Sequence, residues 1–357
     1  MHAPTAECKV GLIGYGYAGH TFHAPLIRAT AGLQLAAVAS SDAQKVHAAL
    51  GTGIEVMAAQ ALIARDDLDL VVIATPNELH HPLALAALRA GRHVVVDKPF
   101  ALDAGQAEEL VAEAERGGRL LSVFHNRRWD SDFLSLQQWL AGGPVGRPVE
   151  LVSQFDRFRP QVRQRWREGA GPGAGLWLDL GPHLVDQALL LFGPPTAITL
   201  DLAMLRDGAQ ADDWFHALLR WDRGPMAGAR VQLHASALAA RPGARFTLHG
   251  TRGSISVDGL DPQEDALKAG ASPAQIAGAD WGRDTRQAMF WAGDAASAEA
   301  LPLVNGRYPG YYAGILRALR GEADAPVTAR QALLVQRVLD AGRSSARLRC
   351  EQALALD

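Results

Sequence analysis

Two stretches of the chain carry residue types at spacings that could move protons. One is Leu178-Asp179-Leu180-Gly181-Pro182-His183-Leu184-Val185-Asp186. Asp179 and His183 are four apart, so one helical turn sets them side by side. Proline fits best in a first helical turn, which would instead put Asp179 just before the helix. Either way the carboxylate reaches the imidazole, and a histidine oriented by a carboxylate is a general acid or base near neutral pH. Asp186, three residues past His183, is a second candidate orienter. A capping aspartate beside a structural histidine would share this spacing.

The other stretch is His93-Val94-Val95-Val96-Asp97-Lys98-Pro99-Phe100. Three consecutive valines read as a fully buried strand of a parallel sheet. Proline pushes Lys98 out of the helical region. A cation is thereby held at the carboxyl end of a buried strand, where open α/β sheets bind ligands. The chain has only four lysines, Lys9, Lys45, Lys98 and Lys268. A lysine in this place is therefore informative, although a solvated lysine after a strand is the plain alternative.

The elements that must position these groups begin with 9–14, a short apolar strand running into Gly14-Tyr15-Gly16-Tyr17-Ala18-Gly19. In such a G-x-G-x-x-G turn Gly14 permits the bend, Gly16 lets a pyrophosphate approach the backbone, and Gly19 packs helix on strand. The helix that follows offers unpaired N–H groups to phosphate. Dinucleotide binding is the implication. A second strand, 33–39, ends in Ser40-Ser41-Asp42. The position that holds a ribose 2′-OH through an acid in NAD sites aligns with neutral Ser40. Ser41 follows, and Lys45 is a turn further on. Two hydroxyls and an ammonium suit a 2′-phosphate, so NADP is expected rather than NAD. Asp42 is the counter-argument, as a ribose ligand displaced by two residues; Ser40 to Asp42 also reads as a helix cap. The strand 69–74 ends in Thr75-Pro76-Asn77, again at the ligand edge. A helix over 79–90, one over 103–116 and a strand over 120–124 complete a β-α-β series, the pattern of a doubly wound parallel sheet.

Beyond His125-Asn126-Arg127-Arg128-Trp129 the pattern changes. Strands are predicted at 149–157, 197–205, 214–221, 226–238, 245–249 and 254–257, with helices around Trp139 and over 183–192, 311–320 and 329–343. Strands in one sheet with helices on one face make an α+β layer. The expected organisation is an α/β unit over 1–124 and an α+β unit over 125–357 for substrate and oligomerisation. The basic run Arg157, Arg159, Arg163, Arg165 and Arg167, with Phe158 and Trp166, is a solvated loop or a wall of the substrate pocket. Trp166 or Trp177 could stack on a sugar ring. Gly171 to Gly175 reads as a flexible link before the catalytic helix.

Composition excludes several classes. At 357 residues the chain is expected to hold two domains; 48% apolar and 20% charged residues describe an ordinary globular protein. A net charge of −3 leaves no basic excess for nucleic acid. Cys8 and Cys350 are the only cysteines, so neither a disulfide framework nor a cysteine metal site is expected. His20, His23, His80 and His81 invite a metal reading, but no zinc-type carboxylate–histidine spacing accompanies them, and none is assigned. Residues 1–7 lack the pattern of a signal segment, and no run approaches ~18 apolar residues, so a cytoplasmic protein away from membranes is expected.

Taken together, Gly14 to Gly19, Thr75-Pro76-Asn77, Asp97-Lys98-Pro99 and Asp179 to Asp186 resemble the Gfo/Idh/MocA oxidoreductases over nearly the whole chain. That family pairs a Rossmann domain with an open-faced, mostly antiparallel sheet. Thr21-Phe22-His23-Ala24-Pro25-Leu26-Ile27, Ser122 to Asp130, Phe158-Arg159-Pro160 and Arg165-Trp166-Arg167 are similar to the branch of NADP-dependent scyllo-inositol dehydrogenases. The family's Glu-Lys-Pro is Asp97-Lys98-Pro99 here. The resemblance implies that Lys98, Asp179 and His183 are the catalytic set. With the residue reading, it places Gly14, Gly16, Tyr17, Gly19, Ser40, Ser41, Lys45, Thr75, Pro76, Asn77 and Lys98 at the cofactor. It places Lys98, Asn126, Arg127, Arg159, Trp166, Asp179 and His183 at the substrate. The implied reaction is hydride exchange between nicotinamide and a secondary alcohol of a cyclitol or sugar. Reduction of a keto-sugar or another carbonyl, and a non-catalytic dinucleotide-binding regulator, are the alternatives. The broad second sheet is expected to be buried in a homodimer or homotetramer.

Overall fold

Short apolar runs with helices between them can bury both faces only in a parallel sheet, and the computed structural model of the chain has one. It describes residues 7–355; most of the stretch read above for a signal segment lies outside them. Strands β1 (Cys8–Ile13), β2 (Leu33–Ala39), β3 (Glu55–Met57), β4 (Leu70–Ile73), β5 (His93–Val96) and β6 (Leu121–Val123) pair in the order β3-β2-β1-β4-β5-β6, all parallel. This is the doubly wound order, with its switch between β1 and β4. Helices α1 (Ala24–Ala29), α2 (Ala43–Leu50), α3 (Ala59–Ile63), α4 (His80–Arg89) and α5 (Ala104–Gly117) alternate with the strands. All four residues of β4 are fully buried, as the apolar run requires.

The second unit begins with α6 (Ser131–Gly142) and β7 (Pro148–Gln154). It continues through α7 (Leu176–Phe192), β8 (Ala197–Ala203), β9 (Trp214–Arg220), β10 (Arg230–Ser236), β11 (Phe246–Gly250) and β12 (Gly253–Val257). Helices α8 (Gln263–Lys268) and α9 (Pro273–Ile276) then belong to the first unit. Strands β13 (Gln287–Ala292) and β14 (Glu299–Pro302) return to the second, and α10 (Pro309–Leu319) to the first. Helix α11 (Ala329–Leu348) and β15 (Gln352–Ala353) close the described chain. The nine-stranded sheet runs β14-β13-β12-β11-β7-β10-β9-β8-β15 and is antiparallel except for β7 beside β10. Along β9, Phe215, Ala217 and Leu219 are fully buried, while Trp214, His216, Leu218 and Arg220 are only partly covered. Period-two alternation thus gives the sheet one face packed under Trp177, Leu184, Val338 and Leu339 and one open face.

The units do not separate at one point in the chain, as a cut at 124/125 would have it. Pro262–Gly282 and Arg307–Leu333 pack with the segment that ends at Trp129. The reason is visible in side chains. Buried Tyr311 meets Ser122 Oγ (2.9 Å), and Tyr312 meets His23 Nδ1 (2.6 Å). Gln263 donates to the Trp129 carbonyl (3.0 Å).

Candidate active site

In the first unit the glycine turn has three different environments. Gly14 has φ of 97°, and a Cβ there would lie 2.4 Å from the Ala74 carbonyl oxygen. A Cβ on Gly19 would lie 2.1 Å from the Gly14 oxygen, whereas one on Gly16 would meet nothing within 4 Å. The turn is closed at its ends and open at its centre, which fits a pyrophosphate lying against Gly16. Past it the chain winds through a wide π turn, Gly19–His23, into α1. Tyr17, expected beside the cofactor, donates its hydroxyl to Glu264 (2.6 Å).

At the end of β2, Asp42 is the N-cap of α2: its Oδ1 accepts the Lys45 N–H (2.9 Å), a contact typically worth ~1 kcal/mol. Ser40 Oγ accepts the Asp42 N–H (3.1 Å), and Ser41 is exposed. Lys45 turns back so that Nζ donates to the carbonyl of Tyr15 (3.1 Å), inside the glycine turn. Asp42 therefore caps α2, and the Lys45 ammonium stands beside the glycine turn.

Thr75 and Pro76 follow β4, and Asn77, 4% exposed, opens a short 3₁₀ turn. His80 lies between two carbonyls, Thr75 (3.1 Å from Nε2) and Pro99 (2.8 Å from Nδ1), just past the ends of β4 and β5. Lys98 closes β5; its N–H donates to Asp97 Oδ1 (2.8 Å), and the Lys98–Pro99 peptide is cis. Behind Asp97 lies His23, fully buried, with Nε2 4.0 Å from the carboxylate. Burial pushes the His23 imidazole down to about 4, the Asp97 charge only partly opposing this, so the ring is neutral near pH 7. Of the other histidines singled out, His81 bonds Glu109 and His20 packs edge-on to Tyr15.

Asn126 and Arg127 are buried. Arg127, expected at the substrate, donates to Glu264 (2.6 Å). Burial pushes the Glu264 carboxyl up, but the Arg127 charge, the Tyr17 hydroxyl and Lys268 outweigh it and hold it well below the usual range. Glu264 was not legible as a site residue, since it is 137 positions from Arg127.

In the second unit the helix carrying the acid–histidine pair starts earlier than the predicted 183. It begins at Leu176, and Pro182 stands inside it. Asp179 is thus within the helix's first turn and shares a face with His183, one turn on. Proline there removes a helical hydrogen bond, a penalty of ~3 kcal/mol in an isolated helix, offset by the burial of Leu178, Leu180, Leu184 and Val185. The early start has a remote cause. Asp212, from the β8–β9 loop, accepts the Leu176 N–H on its carbonyl (2.7 Å) and the Trp177 N–H on Oδ2 (2.7 Å). A Cβ on Gly175 would lie 2.0 Å from Asp212 Oδ1, so only glycine fits. Burial pushes the Asp212 carboxyl up to about 6, against the bond from Trp177.

Asp179 also faces Arg167, whose Nε is 3.5 Å from Oδ1 and whose guanidinium stacks over Trp166 (4.3 Å). The Arg167 carbonyl accepts the Gly175 N–H (3.0 Å), so the glycine link is anchored where the helix begins. Arg157, Arg159, Arg167 and Asp179 line one pocket of this unit. Trp177 does not stack on a ligand. It is 1% exposed, packs edge-on to Phe215 and donates Nε1 to Leu339 (3.2 Å). A tryptophan in the first turn of an apolar helix looks the same in sequence whether it faces core or cleft.

A phosphate-accepting turn with room only at Gly16, in a chain that also presents an acid–histidine helix face, is the construction of a nicotinamide-dependent oxidoreductase. Known families give the same class. Residues 8–125 match the oxidoreductase-family NAD-binding Rossmann fold, and residues 138–350 match the oxidoreductase-family C-terminal alpha/beta domain. The chain belongs to the Gfo/Idh/MocA family. It is 52% identical over 349 residues to the uncharacterised oxidoreductase YdgJ of Escherichia coli, covering 97% of this chain and 99% of that one. It is 34% identical over 345 residues to scyllo-inositol 2-dehydrogenase (NADP(+)) IolW of Bacillus subtilis, covering 95% and 94%. Among solved structures, a proposed oxidoreductase from Klebsiella pneumoniae superposes with a TM-score of 0.90 at 45% identity, covering 99% of this chain and 96% of that one. Among the described residues no helix is long and apolar enough to cross a membrane.

Proposed function

We propose that the protein is an NADP-dependent dehydrogenase of secondary alcohols on cyclitols or sugars, acting through Lys98, Asp179 and His183. The observation that carries this reading is the helix face of α7, where Asp179 and His183 stand one turn apart in a chain whose β5 ends in Lys98. His183 takes the hydroxyl proton on an imidazole nitrogen, and Asp179 keeps the ring oriented and stabilises the cation that forms. Lys98 donates to the same oxygen and stabilises its developing negative charge. When bound, the nicotinamide supplies the hydride acceptor. In the reverse direction His183 returns the proton to a carbonyl oxygen. Two hydroxyls, Ser40 and Ser41, and the Lys45 ammonium beside the turn support NADP. An inositol-like substrate is supported by the likeness to IolW, and keto-sugar reduction by a likeness of 29% identity to a 1,5-anhydro-D-fructose reductase. A homodimer or homotetramer would cover the open face of the nine-stranded sheet.

The test is absorbance of reduced nicotinamide with inositols and aldoses, using both coenzymes. A positioned base contributes ~10²–10⁴-fold, so His183→Ala lowers kcat by that order. Asp179→Asn costs less, and the two changes together are strongly non-additive, because a base and its orienter act as one unit. A His183→Ala enzyme with near-normal kcat removes the histidine from the mechanism. A wild type that binds NADP but oxidises and reduces nothing favours a regulator.

A further inference from the structure

The pocket beside Asp179 has a charge pattern that a neutral polyol does not explain. Arg157 and Arg159 lie on an extended run pinned to the end of β10. The Arg157 N–H donates to Ser236 (2.9 Å), the Arg159 N–H to Ala237 (2.7 Å), and Arg157 accepts from Ala239 (3.1 Å). Side chains alternate along extended chain, so the two arginines leave on one face and Phe158 on the other, where it is 57% exposed. Both line the pocket with Arg167 and Asp179.

Two further arginines in the lining belong to its frame. Glu168 accepts from Arg165 Nε (2.6 Å) and Arg206 Nη1 (2.9 Å), and Asp213 accepts from Arg206 Nε (2.9 Å). Arg206 also donates to the backbone carbonyl of Arg159 (3.2 Å), which fixes the run. These two cations and two carboxylates balance. The rest of the charged lining is Arg157, Arg159 and Arg167 against Asp179 and Asp212, an excess of one positive charge among the lining residues.

We infer that this pocket receives an anionic substituent, a carboxylate or phosphate, carried by the same sugar or cyclitol whose hydroxyl reacts. The inference rests on the reading of Asp179 as part of the reacting site. Guanidinium forks bind such oxyanions through two parallel hydrogen bonds, and each charge-assisted bond is worth roughly ten- to a hundredfold in affinity.

The experiment compares kcat/KM for pairs that differ in charge: D-glucuronate and D-glucose 6-phosphate, each against D-glucose, with myo- and scyllo-inositol as neutral cyclitols. One acidic member is expected to exceed its neutral parent by at least tenfold, and which one does so separates carboxylate from phosphate. Arg157→Met and Arg159→Met, which keep the aliphatic stem, are each expected to lower the acidic-to-neutral ratio by about tenfold, mainly through KM. Arg159→Lys should recover part of it. Neutral parents equal or better in the wild type overturn the inference even if neither variant folds, and so does a ratio that both variants leave unmoved. If no compound is oxidised although NADP binds, the dehydrogenase reading fails separately. Calorimetric titration of glucuronate and glucose 6-phosphate into the NADP complex then decides the pocket. Binding of an acid but of neither glucose nor the inositols supports the inference, and no binding of either acid overturns it.

Discussion

Asp212 offers a test in which the sign as well as the size follows from the structure. Its carboxylate caps α7 through the Trp177 N–H, and burial moves it from 3.8 up to about 6. A carboxyl whose folded value is raised contributes stability that is complete below the unfolded value and is lost as pH rises through the folded one. The loss therefore runs from about pH 4 to pH 6 and is flat above that. At ~1.4 kcal/mol per tenfold change in proton affinity, ionising Asp212 costs the fold about 3 kcal/mol. Asp212→Asn keeps an oxygen for the Trp177 N–H and cannot ionise. The variant is expected to be more stable than wild type at pH 7.5, by an amount approaching that figure, with the difference shrinking towards pH 4. Urea unfolding of both proteins at pH 4.5, 5.5, 6.5 and 7.5, followed by tryptophan fluorescence and helical circular dichroism, measures it. A difference independent of pH, or an Asn variant less stable at pH 7.5, would refute the argument and make the cap one that depends on the charge.

Three other outcomes are expected. Lys45→Ala should weaken NADP by roughly ten- to a hundredfold and leave NAD nearly unchanged, since one charge-assisted bond is lost; equal loss for both coenzymes, measured by fluorescence titration, would detach Lys45 from the 2′-phosphate. His23, lowered from 6.5 to about 4 by burial, has the opposite sign to Asp212. Its contribution, up to ~3 kcal/mol, is complete above pH 6.5 and is lost as pH falls towards 4. His23→Gln should flatten that acid limb in urea titrations while costing ~1–3 kcal/mol at pH 7.5 through the bond to Tyr312. Gly19→Ala should destabilise by ~1–3 kcal/mol and abolish dinucleotide binding, because its methyl would press on the Gly14 carbonyl; unchanged melting temperature and coenzyme affinity would contradict this.

The strands and turns of the first unit were legible because each signal lies within a short window. Three valines before Asp97-Lys98-Pro99 read as a buried strand with a cation at its end, and Gly14 to Gly19 is a turn whose steric demands are local. That Asp42 could cap a helix was legible too, and the structure shows the cap, with the Lys45 N–H on Asp42 Oδ1. In the second unit the four-residue spacing of Asp179 and His183 was plain, but the start of their helix was not. Pro182 marks a first turn by local rules, and what overrides it is Asp212, 35 residues from Trp177, bonding the earlier N–H groups. The partner of Arg127 was hidden for the same reason: Glu264 lies 137 residues away. Pro262–Gly282 and Arg307–Leu333 rejoin the first unit by burying Leu267, Ile276, Ile315 and Leu316 in its core and through bonds such as Tyr312 with His23. Period, turn chemistry and capping act between neighbours in the chain and can be read from residue order. Which distant carboxylate or hydroxyl meets a given donor depends on how the elements pack, and that information exists only once the chain has folded.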